Sequence, residues 1–592
     1  MEGAKLEISG GKKSGNNSPT ATYKALTEKD MEEDTVARPK SLVKVKTESP
    51  EADGADEKML PKEDAKLTTN SNVEIGNVKV SSPNEKQNGD AKLDIGDLKP
   101  AFVGLTKEEL MKYANDPFWV RLRMFLFVTF WILWAAMLVG AVLIIYAAPK
   151  CPAPEPRPWW EQGPLTEVPS DINLETLKSE KLAGFKGFIL PWTEDTYSNT
   201  ISDTHQIVKL LQAAKANDTK IIVEVDPSTS QSWFEQSESK DPVFDNYYIW
   251  KKPKDGSAED KPEPPNNWKK VHTNESSWVY SSKRKEFYYA PLSKPLLNFR
   301  NQNVTNEFVK VIKLFADKGA AGFVLKNVAW LLADTKFEDE AINNNPKLGN
   351  FGMMDYDFYT HTKTENLPEL GSLLGKWRKA VKNLTLSGPF MVKEELHNVN
   401  SYRDEKQSLM VDLPVQGHVL SKQSINVSDL VNSLNISFNA DNVAWPLWKV
   451  NATAVPTDAM HLVTYLLPGV PLIPYTDGVN AELTKLRDTS KSIMWGNTTY
   501  WAVANKTVFT FLREIVGSPG ILVSLNPTDE RVEVDFAKDI PPLSKLEEVT
   551  VLSYSSSYNE TEFMKKNAKK KASNVPLSPK STLVLLYVPP KD

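Results

Sequence analysis

One cysteine, Cys151, stands among 592 residues, and there are only six histidines. A lone cysteine excludes an internal disulfide and a zinc site built on cysteines. The histidines show no H-E-x-x-H or other metal spacing, and no glycine-rich loop suited to cradling phosphate is present. No metal and no cofactor are therefore expected. A strong charge of one sign is missing too. Lys and Arg number 71 against 76 Asp and Glu, and the net charge of −5 gives no electrostatic preference for nucleic acid. Aromatic residues are almost absent up to about residue 100, where Tyr23 stands alone among Lys, Glu, Asp, Ser and Pro. Such a stretch cannot bury enough apolar surface to offset chain entropy, so residues 1–105 are expected to be disordered. Within it, Ser18, Ser49 and Ser82 each precede a proline, a weak signal for phosphorylation.

Charge vanishes entirely from Met124 to Tyr146, in "MFLFVTFWILWAAMLVGAVLIIY". As a helix this run covers about 35 Å, enough for a hydrocarbon core of about 30 Å. A membrane span over 124–148 is expected. Lys107, Lys112, Arg121 and Arg123 precede it, whereas only Lys150 and Arg157 follow closely. Positive charge collects on the cytoplasmic side, so the N-terminus is placed inside and the chain reads as a type II signal-anchor protein. Glycosylation sequons point the same way. Ten follow the span, at Asn217, Asn274, Asn303, Asn383, Asn426, Asn435, Asn451, Asn497, Asn505 and Asn559, and one precedes it, at Asn16. Thr106 and Glu109 have capping-box spacing for a short juxtamembrane helix within 106–123, ending before Pro117. Ala136 and Gly140 form a small-xxx-small pair that permits close approach of another helix, and ordinary membrane-helix glycine content accounts for it equally well.

Cys151 falls in a neck, 149–165, rich in proline. A Pro-rich neck has no core in which to bury a thiol, and this topology exposes Cys151 to the oxidising side of the membrane. An odd cysteine there points to an intermolecular bond. The partner is a different membrane protein or a second copy of this chain; an unpaired thiol is the remaining alternative. The basic run "KKNAKKK" (565–571) reads as a solvated loop, with a contact to membrane lipid headgroups or a partner as the lesser alternative.

From 166 onward, strand-like and helix-like segments alternate. "GFKGFILPW", "TKIIVEVDP" and "AAGFVLKNV" read as buried strands; "DTHQIVKLLQAAKAND" and "NEFVKVIKLFADKG" carry helical periodicity. This α/β pattern predicts a parallel sheet or barrel over 166–515. From about 516 to 592, "PGILVSLNP", "RVEVDF", "LEEVTVLSY" and "STLVLLYVP" predict a smaller antiparallel β domain.

The runs "SWFEQSESKDPVFDNYYIWKKP", "FYYAPLSKPLLNFRNQNV" and "LLPGVPLIPYTDGVN" resemble α-glucosidases of the α-amylase family. That resemblance implies a (β/α)8 TIM barrel with a subdomain inserted at about 227–298 and a C-terminal β-sandwich. It also implies a degenerate site. Where the family pattern G-F-R-x-D carries its arginine and its nucleophile, this chain has Val324 and Lys326. The Asn-His pair of D-x-V-x-N-H is Ser228 and Thr229, and the segment corresponding to P-D-L-N reads Pro295, Leu296, Leu297, Asn298. Glu394 or Glu395 corresponds to the acid/base position, and Asp441 lies near the third acidic one. A retaining glycosidase needs two carboxylates about 5–5.5 Å apart, so no catalytic residue and no enzyme activity are expected. A buried Lys326 needs a neighbouring carboxylate or solvent.

"FVGLTKEELMKYANDPFWVRLR" with "WAAMLVGAVLIIYAAPKC" resembles heavy subunits of heteromeric amino acid transporters, the 4F2 cell-surface antigen heavy-chain family. That resemblance implies a non-catalytic ancillary subunit, joined through Cys151 to a twelve-span light subunit that it brings to the plasma membrane and stabilises. A membrane-anchored α-glucosidase and a carbohydrate-binding or adhesion receptor are the rival readings.

Overall fold

A computed structural model describes residues 106–147, 155–198, 201–344, 351–396, 398–439, 445–451 and 454–589. The expected disordered tail with Asn16, Ser18, Ser49 and Ser82, the thiol of Cys151, and Asp441 lie outside the described residues. By compactness the chain divides into residues 1–140 and 141–592.

Two helices open the described chain. Helix α1 spans Lys107–Ala114, and the Glu109 carboxylate accepts the backbone N–H of Thr106 at 3.2 Å. Helix α2 spans Pro117–Ala147. It begins at Pro117, earlier than the expected Met124, because proline fits the first helical position and Asp116 accepts the N–H of Phe118. Residues 117–123 therefore continue the apolar helix instead of closing a separate juxtamembrane one. No residue of α2 is buried, and it is the one described helix long and apolar enough to cross a membrane.

Beyond residue 155 the chain builds a closed barrel. Strands β1 (Leu165–Glu167), β2 (Gly187–Pro191), β3 (Ile221–Val225), β7 (Gly322–Leu325) and β8 (Phe390–Val392) form one parallel sheet in that order. Strands β9 (Val415–Gln416), β10 (Leu447–Trp448) and β11 (Val470–Pro471) form another. Parallel bridges Glu395–Val415 and Leu165–Leu472 join the two sheets into a ring of eight. Each strand turns alternate residues inward. Leu165, Ile189, Ile222, Val324, Met391, Val415, Leu447 and Val470 thus fill the interior as one apolar cluster. Outside pack amphipathic helices, of which Gln302–Lys318 is typical: Val304, Phe308, Val311, Ile312 and Phe315 face the sheet at helical spacing. It stops at Gly319, with φ +120°, where a side chain would meet the Leu211 carbonyl 2.7 Å away.

Between β3 and β7 lie the helix Gln231–Glu238 and a small antiparallel sheet, ordered β4 (Trp250–Lys251), β6 (Glu286–Tyr289), β5 (Trp278–Ser281). The C-terminal six-stranded sheet runs β12 (Asn497–Val503), β13 (Val508–Glu514), β14 (Gly520–Asn526), β19 (Ser581–Tyr587), β16 (Glu548–Tyr554), β17 (Lys569–Lys571). Strands β15 (Val532–Val534) and β18 (Val575–Leu577) pair separately. The sheet thus starts at Asn497, not near 516. A tight turn with left-handed Ala504, Asn505 and Lys506 joins β12 to β13 and pairs them antiparallel before the expected boundary. The basic run is largely tied down: Lys566 pairs with Glu482, Lys569 with Glu548, and Lys570 lies over the Phe563 ring.

Candidate functional site

The C-terminal ends of barrel strands are where this fold gathers chemistry. Five inward residues there follow one rule: an apolar residue of the interior layer, then a charge two positions on. The pairs are Leu165/Glu167, Ile222/Glu224, Val324/Lys326, Met391/Lys393 and Leu447/Lys449. Register explains why they meet. Glu224 on β3 faces Val324 on β7, and Val324 faces Met391 on β8, so Lys326 and Lys393 emerge side by side next to Glu224.

The charges interlock. Glu224, 5 % exposed, holds Lys393 Nζ at 2.5 Å on Oε2 and Lys326 Nζ at 3.6 Å on Oε1. Lys393 also reaches Glu167 at 2.9 Å, and Glu167 takes Lys449 at 3.0 Å. Burial pushes the Glu167 carboxyl up, but the hydrogen bonds and charges of Lys393 and Lys449 outweigh it and hold the group below its usual range. For Lys393, burial works downward and is overcome by Glu224 and Glu167, leaving the ammonium above its usual value. Lys326 thus has a carboxylate neighbour, and Val324, in place of an arginine, packs in the apolar interior.

A second group borders the first. Asp226 accepts from the Ser228 N–H at 3.0 Å, the Ser228 hydroxyl at 2.6 Å and the Asn327 side chain at 2.9 Å. Glu394 accepts the Asn327 N–H at 2.8 Å on Oε1, while its buried Oε2 has no hydrogen-bond partner. Burial raises the Glu394 pKa; the Asn327 N–H opposes it, and Asp226 and Glu224 add to it. Glu395 points elsewhere, to the His418 ring at 2.7 Å. Thr229 is half-buried nearby, and Leu296 is buried where the family pattern has an aspartate.

Chemically, the mouth keeps a half-buried carboxyl with a raised pKa in Glu394 but sets an amine at Lys326. A glycosyl-enzyme ester needs a carboxylate oxygen there. Glu167 and Glu224 are ion-paired, and Asp226 is fixed by Ser228 and Asn327. Among the described residues, no cluster of three or more His, Asp or Glu offers a metal site. Sequence reasoning singled out Lys326 and its need for a neighbouring carboxylate but did not single out Glu224, Glu167, Lys393 or Lys449. The repeated apolar-x-charged ends of five strands were the available signal.

The other positions of interest are scattered. Eight sequon asparagines are exposed, and Asn274 and Asn435 are half-buried. Ala136 and Gly140 lie on α2, where an added Cβ at Gly140 meets nothing within 4 Å among the described residues.

Comparison with known proteins fits this geometry. Residues 90–166 match the N-terminus of solute carrier family 3 member 2, and residues 195–428 match the alpha amylase catalytic domain. The chain is 23% identical to the rat amino acid transporter heavy chain SLC3A1 over 432 residues, 64% of this chain and 62% of that one. The chain is thus similar to the amino acid transporter heavy chains along most of its length. It is also 28% identical to Maltase 1 of Drosophila virilis over 267 residues, 43% of this chain and 38% of the maltase. It therefore spans less than two thirds of either relative's length. The crystal structure of an alpha-glucosyl transfer enzyme superposes with a TM-score of 0.56 at 14% identity, covering 73% of this chain and all of that one. The fold is the α-amylase type of TIM barrel.

Proposed function

We propose that this chain is a non-catalytic heavy subunit of a heteromeric amino acid transporter. In this reading it is anchored by α2 with its N-terminus in the cytoplasm, and its light subunit is a multi-span permease. Cys151 bonds covalently to that partner, α2 packs against it through Ala136 and Gly140, and the pair resides in the plasma membrane. The observation that carries the reading is the combination in one chain of a segment similar to the solute-carrier N-terminus with a barrel mouth that holds the Glu224–Lys326–Lys393 ion cluster. The barrel then serves as a folded extracellular body. Its ten sequons are sites for N-glycans, and Val324, Lys326, Ser228 and Thr229 mark the lost chemistry.

Two measurements test this together. Expression of the chain with a permease that stays inside the cell on its own is expected to bring that permease to the surface, read by surface biotinylation. The purified chain is expected to release no aglycone from an aryl α-glucoside. A membrane-anchored α-glucosidase is favoured by one observation, the half-buried Glu394, whose pKa is raised. Hydrolysis abolished by Glu394→Gln would establish it and end the heavy-subunit reading.

A further inference from the structure

A cleft of about 240 Å³, separate from the ion cluster, lies between the helix Gln302–Lys318 and the segment after β2. This is smaller than the roughly 300–1,000 Å³ of a pocket for a drug-sized ligand. One wall is Glu307, Lys310, Val311 and Leu314 of that helix; the other includes Tyr197 and Trp233. Trp233 is half-buried at the head of an aromatic group. Its ring centroid lies 4.5 Å from Tyr197, 5.4 Å from Tyr247 and 6.1 Å from Phe244.

The same helix carries Asn303, exposed, in the sequon Asn303-Val304-Thr305. Positions 303, 307, 310 and 314 lie on one helical stripe. Asn303 stands one turn, about 6 Å, before Glu307 along the axis and faces the same way. A sugar attached there leaves the helix on the side of the cleft. Its polar edge meets Glu307 and Lys310, and the apolar face of a pyranose ring suits the indole of Trp233.

We infer that Asn303 carries an N-linked glycan whose first N-acetylglucosamine residues lie in this cleft against Trp233, making the glycan part of the folded surface. The inference rests on the extracellular placement proposed above. Tethering makes it economical: attachment one turn away keeps the local sugar concentration high, so a weak stacking contact suffices.

The test uses the full-length chain made in glycosylating cells and purified in detergent. Site-resolved glycopeptide mass spectrometry follows release of N-glycans by an amidase under native conditions. Asn303 is expected to be occupied. Its glycan should be released about tenfold more slowly than that on Asn505, which sits at an exposed turn, as expected for a contact worth about 1.4 kcal/mol. Trp233→Ala should bring the two rates together, and Trp233→Phe should keep most of the difference. If Trp233→Ala does not fold, hydroxyl-radical footprinting of Asn303→Gln decides, and oxidation of Trp233 should rise several-fold. Equal release rates in the wild type, an empty Asn303 beside other occupied sequons, or unchanged oxidation in Asn303→Gln overturns the inference. Absence of glycan at all ten sites instead overturns the topology beneath it.

Discussion

Glu224 sits where two lysines on neighbouring strands would otherwise repel each other. Removing its charge leaves Lys326 and Lys393 adjacent, with only Glu167 to compensate. Glu224→Gln is expected to cost about 3 kcal/mol, the low end for breaking a buried pair, because both lysines are partly solvated. Urea unfolding of the full chain in detergent reads this directly. A loss well under about 1 kcal/mol would mean that the cluster behaves as surface charge. The pH dependence has a definite sign on each side. Glu167 is depressed, so its contribution is present above the ordinary carboxylate value of 4.5 and disappears as pH falls through its lower folded value. Lys393 is raised, so its contribution is full below 10.5 and is lost as pH climbs past its higher folded value. Glu394 has the opposite sign to Glu167. Burial raises it, so stability is lost as pH climbs from the ordinary value of 4.5 through the raised one, and the loss is complete above it. Glu394→Gln should therefore raise the melting temperature at neutral pH and leave it unchanged in acid. A lower melting temperature at neutral pH would show that the charged form is the one the site holds.

Strands and helices differed in how openly the sequence announced them. The buried strands ending in Pro191 and Leu325 are continuous apolar runs, and the one ending in Val225 is interrupted only by Glu224, so their existence was plain. The short strands β9, β10 and β11 were not, because two residues carry no period. Their place is set by pairing with neighbours from elsewhere in the chain. Strands β12 and β13 were missed for a different reason. In "NTTYWAV" polar and apolar residues mix, and its partner is buried along nearly its whole length. The candidate site was half legible. Lys326 stood out against a family pattern, whereas Lys393 and Lys449 became meaningful only when strand register brought them to Glu224 and Glu167. Arg513 on β13 ties the C-terminal sheet to the preceding helix Lys491–Trp495, donating to the carbonyls of Ser492 and Ile493. Arg513→Leu strands those acceptors and should lower stability by about 1–3 kcal/mol, seen as an earlier urea midpoint. For α2, the open space around Gly140 separates two effects. Among the described residues an added Cβ at position 140 meets nothing within 4 Å, so for Gly140→Leu normal expression with reduced co-purification of a partner in mild detergent is the expected result. Unchanged co-purification would remove this stripe from the interface.

The whole molecule combines one long apolar helix, a barrel and one thiol, and its proposed role turns on what that thiol joins. Because Cys151 is the sole cysteine, any covalent complex must pass through it. A disulfide raises the effective concentration of two partners to about the millimolar range without creating complementarity. Cys151→Ser should therefore abolish the covalent species while much of the complex survives mild detergent. The decisive measurement is a non-reducing gel of the native chain from its own membranes, with mass spectrometry of the high-mass band. The predicted result is a band holding this chain and a multi-span permease, lost in Cys151→Ser. A band holding this chain alone would make it a covalent homodimer and contradict the account.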